Sequence, residues 1–237
     1  MKKNILLAGI FSIISTATIF AQNMAIGARA GMMWQNVVSP DLSSALDFNT
    51  ISTPSVGLVA NVGLTDNIAF HTELNYTEKG FKTNIGQDLT LFGLNLPVGA
   101  RATTVVKYVD MPLAIKYTLG NTEGVHFYAM GGANLGYAMS GEISSSLKLL
   151  IDINVNKTAI NMSSQNYKRF EVGGIAGVGM NVPVGNGNFY IDARYNRSFQ
   201  DVYEVPVVGA KVRNQGFGIG LGYLMTLDGG GSKTKRR

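Results

Sequence analysis

Apolar side chains alternate with polar or small ones in about eight segments of this chain, and this two-residue rhythm constrains the fold more than any other feature. Successive side chains of a β-strand point to opposite faces, so a period of two predicts strands. The connections between the segments are alternately short and long, as in a small transmembrane barrel with turns at one end and loops at the other. Short connections lie near 65–67, 119–124 and 184–188, and long ones span about 37–53, 80–103, 140–167 and 200–212.

Eight strands follow from this pattern, and most have the ~9–11 residues that a tilted strand needs to cross the hydrocarbon layer. We predict an all-β fold, an eight-stranded antiparallel up-and-down transmembrane β-barrel with long extracellular loops. The barrel is expected to be a monomer. The predicted strands are 25–36, 54–65, 67–79, 104–118, 124–139, 168–182, 188–199 and 213–226.

The N-terminus has the pattern of a secretory signal. Lys2 and Lys3 precede an apolar run at 5–14, and small residues lead to a predicted cleavage after Ala21. A membrane anchor is the alternative, but polar residues leave the run short of the ~18 apolar residues that a spanning helix needs. The predicted domains are a signal peptide at 1–21, a barrel at 22–227 and a basic periplasmic tail at 228–237.

The charge distribution argues against one class of partner. Of the 20 Lys and Arg residues, two lie in the signal and four in the tail, whereas one of the 15 Asp and Glu residues lies in the tail. Residues 22–227 are therefore neutral overall, so nucleic-acid binding loses its main support. The tail itself is interpreted as a flexible segment or, alternatively, as a periplasmic tether to an anionic partner.

Each strand has an apolar row and a polar row, and the direction in which each row points decides the compartment. A soluble barrel buries its apolar row, whereas a membrane barrel turns it toward lipid. Charges on the apolar rows are confined to the long-loop end, where a charge costs least. We therefore predict that the apolar rows face lipid in the outer membrane. The charges on these rows are Glu78, Lys107, Lys168, Arg197 and Arg213.

Aromatic side chains on the apolar rows fall at two heights, as in the interfacial girdles of membrane barrels. A soluble core has no reason to sort aromatic residues by height. We predict a loop-end belt of Trp34, Tyr76, Tyr137, Phe170, Tyr195 and Phe217, and a turn-end belt of Tyr117, Phe189 and Tyr223.

The polar rows then face the lumen, which in an eight-stranded barrel is narrow enough for side chains to fill. Charges held away from bulk water must be paired, so we predict an internal ion-pair network with a structural role. An open diffusion pore is not expected, because aqueous channels need more strands. The predicted network comprises Arg29, Glu73, Asp110, Lys116, Arg169, Glu171, Asp192 and Arg194.

No catalytic, cofactor or metal site is predicted. His71 and His126 have no serine beside them on a lumen row, and two scattered histidines do not form a metal-binding pattern. The glycines at 216–222 are not followed by the helix that a nucleotide-binding loop requires, and they fit a close backbone approach within a small barrel. The absence of cysteine removes disulfides and thiolate metal sites as sources of stability.

Several segments resemble the PorT-like outer-membrane β-barrel family of Bacteroidetes, which is related in architecture to the OmpA and OmpX barrels. The resemblance covers nearly all of the mature chain and implies an outer-membrane location without an agreed activity, although the founding member is linked to protein secretion. It rests on FAQ at 20–22, GARAG at 27–31, VDMPLAIKY at 109–117, YAMGG at 128–132 and the glycine-alternating last strand.

The last strand also resembles the sorting signal that the outer-membrane assembly machinery reads, through the spacing of Gly218, Leu221 and Tyr223. This resemblance implies the assembly machinery as a partner. An outer-membrane barrel would also contact membrane lipid and lipopolysaccharide, which we expect as its surroundings.

Binding residues are expected on the long loops, because a rigid scaffold can carry them there. Residues 147–155 alternate in hydrophobicity, which predicts a hairpin in which the fifth and sixth strands extend beyond the membrane. Its apolar face either packs on a neighbouring loop or offers an edge to a protein or surface partner.

These patterns favour a non-enzymatic outer-membrane barrel with a structural or surface-interaction role through its extracellular loops. The alternative is an accessory role in a secretion or assembly system, as the PorT-like resemblance implies. An outer-membrane hydrolase is the third and least favoured hypothesis.

Cell fractionation tests the membrane assignment. The mature protein should be recovered with outer membranes, and it should migrate differently on a gel before and after boiling, because a closed barrel satisfies all its backbone hydrogen bonds internally and resists detergent until heated. Soluble recovery without a heat-dependent shift would contradict the assignment.

Overall fold

The computed structural model describes most of the chain, and the predicted signal peptide at 1–21 and tail at 228–237 lie outside the described residues. Those two assignments stay predictions. Within the described ranges, no helix has the length and apolarity needed to cross a membrane. The described residues are 24–39, 48–84, 89–91, 94–96, 100–120, 124–148, 152–160, 162, 167–205 and 210–227.

Nearly all of the described residues lie in β-strands. The strands are β1 (Met24–Val38), β2 (Phe48–Asn49), β3 (Ile51–Gly63), β4 (Ile68–Asn84), β5 (Leu89–Leu91), β6 (Leu94–Leu96), β7 (Ala100–Leu119), β8 (His126–Lys148), β9 (Asp152–Ala159), β10 (Phe170–Val184), β11 (Gly187–Ser198), β12 (Tyr203–Val205) and β13 (Ala210–Leu227).

Eight of these described strands form one closed antiparallel barrel. They follow the order β1–β3–β4–β7–β8–β10–β11–β13, and β13 pairs with β1 to close the ring. The predicted eight-stranded all-β fold is therefore confirmed. The short strands β2, β9 and β12 each add to one barrel strand, and β5 pairs with β6 in a separate hairpin.

The register of the ladders determines the tilt of the strands. A row of paired residues that starts at Trp34 on β1 returns to β1 at Met24 after one circuit, a shift of ten residues. With the usual strand spacing, a shear of ten in eight strands gives a tilt of about 40°, within the range of barrel strands. The row passes through Phe217, Tyr195, Ala176, Gly131, Ile115, Phe70 and Val62.

Tight turns join the strands at one end of the barrel. Gly185 and Asn186 connect β10 to β11 as a two-residue loop, and the φ of 60° at Gly185 is a conformation that glycine adopts without a steric penalty. In the turn after β3, the Ile68 amide donates a hydrogen bond to the Thr65 hydroxyl oxygen at 3.0 Å. Both turns lie where the sequence predicts short connections.

The strands extend farther at the loop end than the sequence predicts. β7 begins at Ala100 rather than at residue 104, and β8 continues to Lys148 rather than ending at residue 139. The cause is a change in pattern beyond the loop-end belt, where inward side chains become apolar and outward ones become charged. This is the arrangement of a soluble sheet, and it hides the continuation of a membrane strand.

The apolar interior beyond the belt forms what we call the upper apolar core. It is built from inward side chains of the strand extensions and from residues of the connections between them. Phe48 packs against it from the side. Its buried members are Val37, Phe81, Ala102, Val106, Tyr108, Ala138, Ile143, Ile160, Met162, Tyr167, Val202 and Val212.

The hairpin predicted for the fifth and sixth strands has a different partner in the structure. β8 does extend beyond the belt, but there it pairs with β9, with Ser145 opposite Asn156, and β10 begins only at Phe170. The side chains at 145–156 lie outside the described residues, so the apolar face at 147–155 stays a prediction.

The ladder between β4 and β7 is interrupted at Pro112, which has no amide hydrogen to donate. Thr72 pairs with Leu113 and Asn75 pairs with Asp110, but the two intervening positions of each strand are not paired. Pro112 therefore marks a local weakness in one seam of the wall.

The glycines of β13 make room for large side chains in the lumen. A Cβ atom at Gly220 would collide with the guanidinium of Arg29, and one at Gly222 would collide with the ring of Tyr190. The glycine-alternating last strand is thus a consequence of what fills the barrel.

The upper apolar core is tested by Ile143→Asp, with Glu142→Gln as a matched control. Ile143 is 2% exposed, so an aspartate there would be buried without a partner, whereas Glu142 is exposed. We expect trypsin to cut Ile143→Asp faster than wild type in the segments above the belt, while the heat-dependent gel shift of the barrel is retained. Equal cutting of both variants would contradict a stabilising role for this core.

Candidate functional site

Four charged side chains in the lumen form a continuous set of ion pairs, which we name the lower charge cluster. Arg29 Nη2 donates to Asp192 Oδ1 at 2.8 Å. Arg194 donates to both oxygens of Asp192, from Nε at 3.0 Å and from Nη2 at 2.7 Å, and donates from Nη1 to Glu73 Oε2 at 2.7 Å. The four side chains are almost inaccessible to solvent, so each charge depends on these partners.

The lower charge cluster connects strands that are not neighbours in the ring. Arg29 lies on β1, Glu73 on β4, and Asp192 and Arg194 on β11. Because an ion pair across the lumen restricts both walls, the cluster braces the barrel from inside. The two arginines and two carboxylates balance each other in charge.

The two histidines are held by neighbouring side chains of the lumen. His71 Nε2 lies 2.7 Å from Glu73 Oε1, and its Nδ1 lies 2.6 Å from Asn61 Oδ1. His126 Nε2 lies 2.9 Å from Asn181 Nδ2. A general base needs a nitrogen within reach of a substrate, and both nitrogens of His71 are already engaged.

A second group, which we name the upper charge cluster, lies nearer the loop end. Lys79 Nζ donates to Asp110 Oδ1 at 3.0 Å and to Glu171 Oε1 at 3.2 Å. Asn214 Nδ2 donates to the other Glu171 oxygen at 2.8 Å. The ammonium group also lies 4.4 Å from the ring centroid of Tyr108, a cation–π contact.

Lys79 is a lumen residue that the sequence reasoning missed. The predicted third strand ended at residue 79, and its inward row was followed only as far as Asn75. Lys79 has the same parity as His71, Glu73 and Asn75, so continuing that row by four residues would have placed it in the lumen.

Lys116 lies in the lumen but is stabilised differently from the other predicted cations. Its Nζ stands 3.7 Å from the ring centroid of Tyr128 and 3.5 Å from Asn181 Oδ1. The ring face and the amide oxygen stand in for a carboxylate at this position.

The expectation for Arg169 is corrected by the structure. Arg169 precedes β10, and it donates to the main-chain oxygens of Ala138 at 3.1 Å and Met139 at 2.9 Å. Its guanidinium lies 5.2 Å from the ring centroid of Tyr137, a member of the loop-end belt. The polar row on which it was placed ends before residue 169, so Arg169 anchors a connection instead of joining the lumen charges.

A tyrosine pair separates the upper charge cluster from the upper apolar core. The Tyr108 and Tyr167 hydroxyl oxygens lie 2.8 Å apart. Burial raises the pKa of Tyr167, which lies in a connection outside the strands, to about 12. The Tyr167 phenol is therefore protonated at neutral pH and can donate a hydrogen bond.

The voids between these layers are small. One cavity of about 10 Å³ lies beside Lys79 and Asn214, and one of about 20 Å³ lies between the two charge clusters, beside Arg29 and Asp110. Voids of this size hold about one water molecule each. Side chains therefore fill the described part of the lumen.

The predicted aromatic residues lie on the outward rows. Trp34 stacks on Phe217 with ring centroids 6.1 Å apart, and the Phe189 and Tyr223 rings are 4.9 Å apart. Of the nine, Tyr223 is half-buried; the exposed ones are Trp34, Tyr76, Tyr117, Tyr137, Phe170, Phe189, Tyr195 and Phe217.

Metal chemistry finds no support in the described ranges, where no three His, Cys, Asp or Glu side chains are grouped to hold an ion. The arrangement of outward apolar rows, aromatic rings at both ends and paired lumen charges defines a class, the integral outer-membrane β-barrel proteins.

The chain belongs to the outer membrane protein beta-barrel domain family, whose model matches residues 20–204. The predicted outer-membrane location agrees with this family. No curated protein matches the sequence.

Solved structures show the same fold at low sequence identity. OprG from Pseudomonas aeruginosa has a TM-score of 0.52 and 14% identity, covering 86% of this chain and 96% of that chain. Ail, the attachment invasion locus protein of Yersinia pestis, has a TM-score of 0.42 and 16% identity, with 86% and 99% covered. The outer membrane protease OmpT from Escherichia coli has a TM-score of 0.40 and 12% identity, with 86% and 95% covered.

Removing Arg194 tests the energetic weight of the lower charge cluster. Arg194→Gln leaves Glu73 and Asp192 buried with too few donors, so we expect the free energy of unfolding to fall by about 3–5 kcal/mol. The control is Arg213→Gln, because Arg213 pairs with Asp201 at 2.7 Å while both side chains are partly exposed.

The control should lose about 1 kcal/mol or less. Urea unfolding of both variants in phospholipid vesicles measures the two losses. Equal losses would mean that the buried cluster stabilises the barrel no more than a surface ion pair does.

Proposed function

We propose that the protein is a non-enzymatic surface-interaction barrel, in which the membrane part is a scaffold and the loop end carries the binding surface. The observation that supports this most is the continuation of the wall beyond the loop-end belt as β-structure around the upper apolar core. A layer with its own core holds the connections in defined positions, which suits recognition.

The edge of β9 offers a specific place for a partner. β9 pairs with β8 between Glu142 and Lys148, and in the described part of the chain it pairs with no other strand. An unpaired strand edge presents amide and carbonyl groups to which another chain can add a strand. We therefore propose a protein partner that adds an extended segment to β9.

The lumen supports a scaffold role better than catalysis or diffusion. Both nitrogens of His71 are engaged, and the described lumen contains voids for about one water each. The hydrolase hypothesis is tested by assaying the detergent-solubilised protein on lipid and peptide substrates. An activity that His71→Ala abolishes would overturn the non-enzymatic proposal.

The PorT-like resemblance stays a proposal, because the matched family model describes outer-membrane barrels in general. Stable co-purification with periplasm-spanning proteins would favour the accessory role in secretion, whereas an isolated monomer would favour the surface role. Recognition of the last strand by the assembly machinery and contacts with lipopolysaccharide are further proposals for this chain.

Trimming the β8–β9 hairpin tests the proposed edge. Replacing residues 146–155 with Asn-Gly, a favoured two-residue hairpin loop, keeps Ser145 opposite Asn156 and keeps Ile143 in the upper apolar core. A photo-cross-linking residue at Asn156 in the full-length hairpin should capture one discrete protein on intact cells, and the trimmed hairpin with the same residue should not.

Leu221, which is 62% exposed on the lipid-facing row, gives the matched control position. A cross-linker there should not capture the same protein. Capture at both positions, or at neither, would contradict a partner at β9, provided that each variant keeps its heat-dependent gel shift.

A further inference from the structure

Arg197 stands at the edge of the lipid-facing surface without an acidic partner. It is exposed and lies on the outward row of β11, directly beyond Tyr195 of the loop-end belt. Its paired neighbours are Gly174 on β10 and Gln215 on β13. The guanidinium is therefore placed where hydrocarbon gives way to the polar layer of the membrane.

Other outward cations at this end have a carboxylate nearby. Lys107 is paired in register with Glu78, and Arg213 Nε lies 2.7 Å from Asp201 Oδ1. Lys157 Nζ, above the belt, lies 3.4 Å from Glu142 Oε1. Among the described residues, no carboxylate lies within ion-pair distance of Arg197. A charge beside hydrocarbon needs a counter-charge, so the membrane itself must supply one.

The surroundings of Arg197 combine an apolar floor with a polar rim. Gly174 has no side chain, and the Phe199 ring lies above it, with Cζ 2.9 Å from where a Cβ would stand. Phe199 is 64% exposed. On the other side, the Tyr195 hydroxyl donates to Gln215 Oε1 at 3.1 Å.

We propose that Arg197 binds the phosphate of a phosphorylated lipid in the outer leaflet, with an acyl chain against Phe199 and the backbone at Gly174. A guanidinium forms two parallel charge-assisted hydrogen bonds with phosphate, which a lysine does not reproduce. The proposal concerns the lipid-facing wall and is independent of the partner proposed at β9.

Native mass spectrometry of the full-length protein in zwitterionic micelles with added lipid A tests this site. Wild type should retain lipid A, and Arg197→Gln should lower that occupancy by about tenfold, the effect of one charge-assisted contact. Lys107→Gln is the matched control and should bind as wild type does, because Lys107 already has Glu78 as its neighbour. Dephosphorylated lipid A should not distinguish the three proteins.

Three outcomes would overturn the proposal. They are equal lipid A occupancy in wild type and Arg197→Gln, an equal loss in Lys107→Gln, and full displacement of lipid A by millimolar inorganic phosphate, which would show a site for a free anion. Arg197→Lys keeps the charge and guards against a folding defect. It should bind more lipid A than Arg197→Gln and less than wild type.

Discussion

The pairing of buried charges in the lumen is the constraint on which the rest of this barrel depends. Lipid accepts the apolar rows, so the closed ladder must turn the polar rows inward, where an unpaired charge is costly. Arg194 meets this constraint by bridging Glu73 and Asp192, which lie on strands that are not neighbours. The glycines of β13 serve the same end, because they leave space for Arg29 and other large side chains. Wall and filling therefore stabilise each other.

One set of strands crosses two environments, and the interior changes with them. Between the aromatic belts the outside is apolar and the inside carries paired charges. Beyond the loop-end belt, Phe81 and Val106 turn inward while Lys82 and Lys107 face outward. The parity of the strands does not change at this point; only the polarity of the residues does. This reversal gives the surface of the protein a structured layer and places outward cations next to the polar layer of the membrane.

Most of the barrel could be predicted from the sequence, because strand periodicity is a local property. The inward direction of Asp192 and the outward direction of Tyr195 follow from alternation alone. Lys79 was missed because its row was not followed past Asn75, and Arg169 was misplaced because its strand was extended too far. The pairing of β9 with β8 could not be predicted, since a strand pattern does not name its partner. The arrangement of the lumen charges in two clusters is equally absent from the pattern.

The sequence by itself determined the number of strands, the order of turns and loops, and which row of each strand meets lipid. Those properties depend on a period of two residues and on the short distances that the chain spans in a turn. The tertiary structure decided which charges meet, that the lower and upper clusters are separate, and that Arg197 lacks an acidic neighbour. Those facts depend on a shear of ten residues around the ring, which brings together side chains that are far apart in the sequence.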